Sequence, residues 1–105
     1  MGKIRRWDAT SMGLLCVESV RAIHQPPARF RVSPSSYPAG TSFSGVAWAR
    51  CKYVVAGACC VSVGLSVWEL QAGDIADIPA GRYEFRVSGA GPLETVSVWE
   101  LPPES

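Results

Sequence analysis

The amino-acid sequence predicts an all-β domain, a sandwich or barrel preceded by a short N-terminal helix or extended arm. After residue 28, short runs of strand-forming residues are separated by turn residues about every 8 to 12 positions. Helical spacing of apolar residues occurs only before that point. The chain has 105 residues, 48% of them apolar, which suffices for one compact core. We therefore divide it into an N-terminal arm, residues 1–27, and a β-domain, residues 28–105.

The N-terminal arm contains one helix signal. Asp8 to Ser11 can cap a short helix that would end before Pro26. Its apolar positions would be Met12, Leu15, Cys16, Val20 and Ile23. Several residues of this segment are β-branched, which favours extended backbone as well. A short helix and an extended arm are therefore both consistent with the sequence.

Eight strands are predicted in the β-domain, because Gly, Pro and Asp clusters separate its apolar runs. They are Ala28 to Val32, Thr41 to Ala47, Cys51 to Ala56, Cys60 to Val63, Ser66 to Leu70, Ile75 to Ile78, Arg82 to Val87 and Glu94 to Leu101. Strands this short, joined by tight turns, are typical of a small β-sandwich or barrel.

The charge distribution argues against a nucleic-acid partner. The formal net charge is only +1, although residues 1–52 carry eight basic and two acidic side chains and residues 53–105 carry two and seven. The basic residues near the N-terminus are interrupted by apolar residues and followed by Asp8. We expect the two halves, about +6 and −5, to face each other within one domain or across a symmetric dimer.

Hydropathy argues against a membrane partner and a secretion signal. The longest uncharged run, Tyr53 to Trp68, has 16 residues, fewer than a membrane-spanning helix needs, and contains two glycines. The N-terminal segment lacks an apolar stretch followed by a small-residue cleavage site. A cytoplasmic location is the resulting expectation.

The four cysteines do not form a recognisable metal or disulfide pattern. Cys16, Cys51, Cys59 and Cys60 lack the paired spacing of a zinc site and the density of a disulfide scaffold. Cys59 and Cys60 are adjacent, so in a strand they point to opposite faces. We expect buried free thiols, with a redox pair as the alternative.

The most specific motif is Gly-Asp-Ile-Ala-Asp-Ile-Pro-Ala-Gly, from Gly73 to Gly81. Its Gly, five residues, Pro, one residue, Gly spacing resembles the second conserved motif of the cupin superfamily. Upstream, Tyr37 to Phe43 and Tyr53 to Gly57 resemble the start and end of the first cupin motif. The resemblance covers roughly residues 28–101 and implies a jelly-roll barrel, which agrees with the strand count.

The same resemblance implies a departure in chemistry. Many cupins hold a divalent metal with three His and a carboxylate, and the matching positions here lack those ligands. They are Ser44, Val46 or Trp48, Arg50, and Glu84 or Tyr83. His24, the single histidine, lies before the motifs and is expected to be a surface or packing residue. We therefore expect no metal and no other cofactor.

Binary patterning suggests which side chains line the barrel. Apolar residues alternate with charged ones in two strands, so we expect the apolar set inside, with Arg50 and Glu84 outside. The opposite arrangement would bury Arg50 and Glu84 as a pair. The candidate ligand-binding residues are Trp48, Cys51, Tyr53, Tyr83 and Phe85.

These observations predict a metal-free cupin-like barrel that serves as a non-catalytic binding or sensor module for a small, partly apolar molecule. One alternative is a metal-independent isomerase or epimerase with Tyr53 or Tyr83 as general acid. Another is a structural or interaction domain without a ligand. We also expect a homodimer, with the arm as its packing element through Trp7, Leu14, Leu15 and Ile23.

Overall fold

The computed structural model describes residues 4–101; residues 1–3 and 102–105, the ends of the predicted arm and β-domain, lie outside the described part. The arm contains strand β1 (Ile4–Arg6), helix α1 (Ala9–Met12) and helix α2 (Val17–Ile23), and a 3₁₀ turn (Pro27–Arg29) joins it to the β-domain. The remaining strands are β2 (Phe30–Tyr37), β3 (Ser42–Ala47), β4 (Arg50–Ala56), β5 (Ala58–Val63), β6 (Ser66–Gln71), β7 (Asp74–Ile78), β8 (Gly81–Val87) and β9 (Leu93–Glu100).

The strands form two antiparallel sheets that pack face to face. The five-stranded sheet has the order β1-β7-β4-β9-β2, and the four-stranded sheet has the order β3-β8-β5-β6. The predicted all-β class is therefore confirmed, and all eight predicted strands are present. We call the space between the two sheets the interior.

The first predicted strand is longer than expected. The predicted strand ends at Val32, yet β2 continues through Pro34 to Tyr37 and pairs with β9 along its length. Pro34 is compatible with this strand because β2 lies at the edge of its sheet and pairs with one neighbour only. The N–H that proline lacks is therefore not needed for hydrogen bonds to a second strand. Strand length here depends on tertiary position.

The arm forms two short helices where the sequence signal suggested one. Asp8 caps α1 and accepts a hydrogen bond from the Thr10 backbone N–H at 3.0 Å. Gly13, with φ of 77°, ends α1 after one turn and allows the chain to change direction. Helix α2 then runs to Ile23, before Pro26. No helix within residues 4–101 is long and apolar enough to cross a membrane.

The molecule has two apolar clusters, one on each face of the five-stranded sheet. The interior cluster contains Val54, Cys59, Val61, Trp68, Leu70, Ala76, Ile78, Phe85, Val87 and Leu93. The second cluster, which we call the arm-covered face, contains Leu15, Val20, Tyr53, Ile75, Val96 and Val98. Because the arm lies over the outer face of this sheet, both faces are removed from water.

Candidate functional site

Strand β4 directs two cationic side chains into the interior. Side chains alternate along a strand, so Arg50, Lys52 and Val54 share one face. In the register of the sheet, Lys52 lies opposite Ala76 of β7 and Ser97 of β9, and Val54 belongs to the interior cluster. Arg50 is only 8% exposed and Lys52 only 5%. The prediction that Arg50 points outward is therefore wrong.

Each of these cations faces an aromatic ring of the opposite sheet. The Arg50 guanidinium carbon lies 5.0 Å from the centroid of the Tyr83 ring. The Lys52 Nζ atom lies 5.3 Å from the centroid of the Phe85 ring. Tyr83 and Phe85 are two residues apart on β8, as Arg50 and Lys52 are on β4. The result is two parallel cation–ring pairs across the interior.

Polar partners of the two cations are few. Lys52 Nζ donates to Ser97 Oγ at 3.3 Å, and Arg50 Nη1 donates to the Trp48 carbonyl at 3.4 Å. Within residues 4–101, the ion pairs are Arg5–Asp77, Arg6–Asp74 and Arg29–Glu100, and none includes Arg50 or Lys52. Two buried positive groups thus lie on one face without a carboxylate partner in the described part of the chain.

Burial changes the pKa values of the titratable side chains in the interior. Desolvation, together with the nearby Arg50 charge, lowers the pKa of Lys52 from 10.5 to about 8. Desolvation also lowers the pKa of Arg50, opposed by the hydroxyl groups of Tyr83 and Tyr37. Burial raises the pKa of the Cys59 thiol to about 11 despite the nearby lysine. The ionised form of each of these side chains is therefore less stable in the interior than in water.

Further polar groups line the same space. The register places Ser33 opposite Ser97 and Ser35 opposite Thr95, so these four hydroxyl groups share the interior side of β2 and β9. Thr95 Oγ1 and Trp68 Nε1 are buried without a hydrogen-bond partner among the described residues. A buried polar group without a partner is unfavourable unless something else bonds to it.

A surface groove adjoins one end of this polar face. It has a volume of about 440 Å³, and its lining includes Arg31, Ala47, Trp48 and Trp99. Arg31 and Trp99 lie opposite each other and share a face with Ser33 and Ser97, two residues further along β2 and β9. The groove is thus one layer of side chains away from Lys52. Residues of β2 and β3, one edge strand from each sheet, contribute to its lining.

The five predicted ligand-binding residues lie in three different places. Tyr83 and Phe85 face the interior, and Trp48 is 70% exposed at the groove. Cys51 and Tyr53 lie on the arm-covered face, not in the interior where they were predicted. Successive side chains of β4 point to opposite faces, so Cys51 and Tyr53 point away from the interior because Arg50 and Lys52 point into it. Whether any of the five binds a ligand stays a prediction.

The other face of β4 has its own polar contact. His24 Nε2 lies 2.8 Å from the Tyr53 hydroxyl, and the Trp7 ring packs edge-on against Tyr53. Cys51 Sγ accepts a hydrogen bond from Arg5 at 3.6 Å. His24 is thus a packing residue, as expected, and it attaches the arm to the sheet.

The remaining predictions on side-chain direction are confirmed. Glu84 is exposed on the outer face of β8, and Tyr83 points inward. The four cysteines are free, as expected, but only Cys59 is buried; Cys16, Cys51 and Cys60 are partly exposed, and Cys60 lies on the other face of β5. Arg50 and Glu84 therefore do not form the buried pair that the alternative arrangement required.

The metal that this fold often carries does not fit these residues. Within residues 4–101, no three His, Cys, Asp or Glu side chains come together as a possible metal site. Ser44, Val46 and Glu84, at three of the matching positions, alternate with the interior-facing residues and point outward. The interior presents Arg50 and Lys52 in their place, and two cations repel a third. The donor set suits an anion.

Sequence patterning missed Lys52 because it assigned the charged residues of β4 to solvent. The sequence did contain a hint of this arrangement. The alternating residues Cys51, Tyr53 and Val55 could be buried on either face of the sheet, and if they lie on the outer face, Arg50 and Lys52 must point inward. Only the position of the arm decides which set faces inward. The sequence alone does not specify where the arm lies.

Comparison with solved structures identifies the fold. A cupin 2 domain-containing protein from Halorhodospira halophila matches with a TM-score of 0.64 and 20% identity, over 82% of this chain and 61% of that chain. A cupin superfamily protein from Desulfitobacterium hafniense has a TM-score of 0.59 and 16% identity, over 70% and 69%. A cupin protein from Bacteroides fragilis has a TM-score of 0.59 and 21% identity, over 73% of each.

Sequence comparison is less informative. No protein-family model matches the chain, and no curated protein matches it either. At identities this low, structural likeness establishes the fold and leaves the activity to be argued from the residues of the site. The two sheets, their topology and these neighbours together show that the chain has the fold of the cupin superfamily.

Proposed function

We propose that the chain is a binding module that holds a small organic anion in the interior, between Arg50 and Lys52. The observation that carries this proposal is a pair of buried cations on one strand face with no carboxylate partner in the described residues. Residues two apart on a strand are about 7 Å apart. One carboxylate or phosphate group can therefore contact both side chains.

The energetic balance supports an anionic ligand. Burying each cation costs several kcal/mol even after relaxation. A desolvated cation–ring contact offsets about 2 kcal/mol, and a hydrogen bond from a charged group offsets about 1.5 to 3 kcal/mol. Because burial still lowers the pKa of Lys52 to about 8, its contacts with Phe85 and Ser97 leave part of the cost uncompensated. An anion would offset the remainder and could also bond to the Thr95 hydroxyl or the Trp68 N–H, both unpartnered.

Calorimetric titration with small anions tests the proposal. Acetate, benzoate, pyruvate and inorganic phosphate are titrated into the full chain at pH 7. We expect at least one to bind, and Arg50→Gln and Lys52→Met each to weaken its affinity at least about tenfold, a loss of about 1.4 kcal/mol. Arg86→Gln is the matched control because Arg86 is exposed on the outer face of β8.

The result that would overturn the proposal is equally specific. Either no anion in the set binds to folded protein, or binding is unchanged in both Arg50→Gln and Lys52→Met. Thermal unfolding of every variant, measured without ligand, separates a lost site from a lost fold. Turnover of the bound molecule would instead favour the isomerase or epimerase alternative, now through Tyr83, because Tyr53 is only 3% exposed beneath the arm.

The homodimer is likewise a proposal. Of the four arm residues expected at its interface, Leu15 and Trp7 pack on the arm's own sheet. Leu14 is 81% exposed and Ile23 is 46% exposed, so these two are available to a second copy. Sedimentation of the full chain across micromolar concentrations should show a dimer that Leu14→Ser with Ile23→Ser dissociates. A single species of 11.3 kDa at every concentration would contradict it.

A further inference from the structure

We propose that Lys52 captures the carbonyl group of a 2-oxo acid as a reversible Schiff base, while Arg50 holds the carboxylate of the same molecule. This inference rests on the proposed anion site and names the class of ligand for it. It also assigns the two cations different roles. Arg50 is the permanent charge, and Lys52 is the nucleophile.

The surroundings of Lys52 are those that activate an amine. A lysine becomes nucleophilic when it is desolvated in an apolar pocket or lies next to another cation. Lys52 meets both conditions, because it is 5% exposed and shares a strand face with Arg50. The other elements packed around it contribute the Phe85 ring, the Ser97 hydroxyl and the Cys59 thiol. None of these groups is an anion at neutral pH.

The proton equilibrium of Lys52 is consistent with this role. Its pKa of about 8 leaves roughly a tenth of the amine neutral at pH 7, whereas an exposed lysine is almost entirely protonated. Arg50 stays charged throughout this range because a guanidinium is effectively never deprotonated in proteins. Carboxylate binding and amine attack can therefore occur in the same state of the protein.

The chemistry balances without a further reactant. The neutral Lys52 Nζ attacks the carbonyl carbon of the oxo acid and forms a C–N bond, giving a carbinolamine. The carbonyl oxygen then leaves as water together with the two protons that the amine carried, and a C=N bond remains. Addition of water reverses both steps and releases the oxo acid unchanged. No oxidant or reductant takes part.

A 2-oxo acid is the smallest molecule that carries both groups for which the two side chains are suited, a carboxylate for Arg50 and a carbonyl for Lys52. In such a molecule the carbonyl carbon is bonded directly to the carboxylate carbon. Arg50 and Lys52 lie about 7 Å apart along the strand, so their side-chain ends can reach two adjacent groups of one small molecule. A planar guanidinium also matches a carboxylate with two parallel hydrogen bonds. The rings of Tyr83 and Phe85 face these groups from the other sheet.

Borohydride trapping tests the inference. The full chain is incubated with pyruvate at pH 7.5, then reduced with sodium borohydride, which adds hydride to the imine carbon and makes the bond permanent. The chain contains two lysines, Lys3 and Lys52, so peptide mass mapping assigns the adduct without any variant. We expect one adduct, on Lys52, with Lys3 and the N-terminal amine as internal references.

Three variants sharpen the assignment. Lys52→Arg retains a cation and should bind pyruvate but form no adduct. Arg50→Gln should reduce trapping of pyruvate at least about tenfold more than trapping of acetone, which has no carboxylate and responds only to the higher pKa of Lys52 that follows from loss of the Arg50 charge. Arg86→Gln, on the outer face of β8, should behave as the native chain does.

The outcomes separate this inference from the proposed function. If calorimetry shows that pyruvate binds while borohydride leaves Lys52 unmodified, the Schiff base is refuted and the anion site stands. If pyruvate and the other anions neither bind nor form an adduct, both proposals fail. An adduct confined to Lys3 or the N-terminal amine also refutes the role of Lys52.

Discussion

The two faces of strand β4 differ in a way that a single strand rarely does. One face presents Arg50 and Lys52 to the interior, together with hydroxyl groups of β2 and β9. The other presents Cys51, Tyr53 and Val55 to the N-terminal arm, in an almost entirely apolar cluster. Other parts of the molecule cover both faces, so being covered does not by itself distinguish them. The polar face is the one between the sheets.

This difference in polarity is consistent with the roles that we propose, in which the arm-covered face stabilises the fold and the interior binds an anion. The arm-covered face joins apolar side chains, and the His24–Tyr53 hydrogen bond gives its main polar group a partner. The interior instead keeps two cations without a carboxylate partner and two unpartnered polar atoms in the described part of the chain. Buried polar groups that lower stability are a feature of functional sites. Four substitutions or conditions test the comparison, from the largest expected effect to the smallest.

The largest effect is expected where charge is placed on the arm-covered face. Val20 of α2 is completely buried in this cluster. Val20→Asp puts an unpaired carboxylate against apolar side chains, and we expect it to lower the free energy of unfolding by about 4 kcal/mol. Urea denaturation measures the change. Ala22→Asp, on the exposed side of the same helix, should cost less than about 1 kcal/mol, and equal losses would contradict the role of the arm as a cover.

In the interior, by contrast, we expect a substitution that removes a charge to raise the free energy of unfolding. Lys52→Met removes the charge and keeps most of the apolar stem. Because the pKa of Lys52 falls from 10.5 to about 8 on folding, we expect the variant to be more stable than the native chain by about 3 kcal/mol at pH 7. The midpoint of urea unfolding reports this gain. Arg86→Met, at an exposed position, should change stability by less than about 0.5 kcal/mol.

The gain in Lys52→Met should depend on pH. Below pH 8 the lysine is charged in the folded and the unfolded chain, so the native protein carries the full penalty. Between pH 8 and the unfolded value of 10.5, the unfolded chain binds more protons, and native stability rises with pH. We expect the gap between variant and native chain to narrow by about 2 kcal/mol from pH 8 to pH 10.

Two other groups titrate in the opposite sense; the comparison cancels the contribution of Tyr53, whereas Cys59 interacts with Lys52 and loses that interaction in the variant. Burial raises the pKa of Cys59 to about 11 and raises the pKa of Tyr53. Both therefore reduce stability as pH rises above the ordinary thiol and phenol values, in the native chain and in the variant. A gap that stays constant from pH 8 to pH 10 would show that burial does not shift the titration of Lys52.

The smallest effect is expected at Thr95, whose buried hydroxyl has no partner in the described chain. Thr95→Val removes that unpaired group at nearly constant volume, so we expect a gain of about 1 kcal/mol. Ser97→Ala is the matched control, since it removes the hydroxyl that accepts from Lys52 and should cost about 1 kcal/mol. Calorimetric unfolding distinguishes the two signs. A loss in Thr95→Val would show that this hydroxyl is bonded after all.

Much of the fold could be predicted from the sequence because its determinants are local. Turn residues such as those from Gly73 to Gly81 end strands wherever the rest of the chain lies, and Asp8 caps a helix with its own next turn. The eight strands and the outward direction of Glu84 follow from such local signals. Two details did not follow from them. Strand β2 extends through Pro34 because it is an edge strand, and Gly13 divides the arm into two helices.

The candidate site depended on tertiary structure. Both sets of alternating residues in β4 are compatible with burial, and the sequence favoured the apolar set for the interior. The arm reverses that assignment. Because α2 and the preceding segment cover the outer face of the five-stranded sheet, Tyr53 is buried and Cys51 half-buried there, and the pleat turns Arg50 and Lys52 inward. The sequence by itself determined an all-β domain with the turns of the cupin fold. Packing of the arm against one sheet decided that the interior is cationic, because strand alternation leaves each side chain only one of two faces.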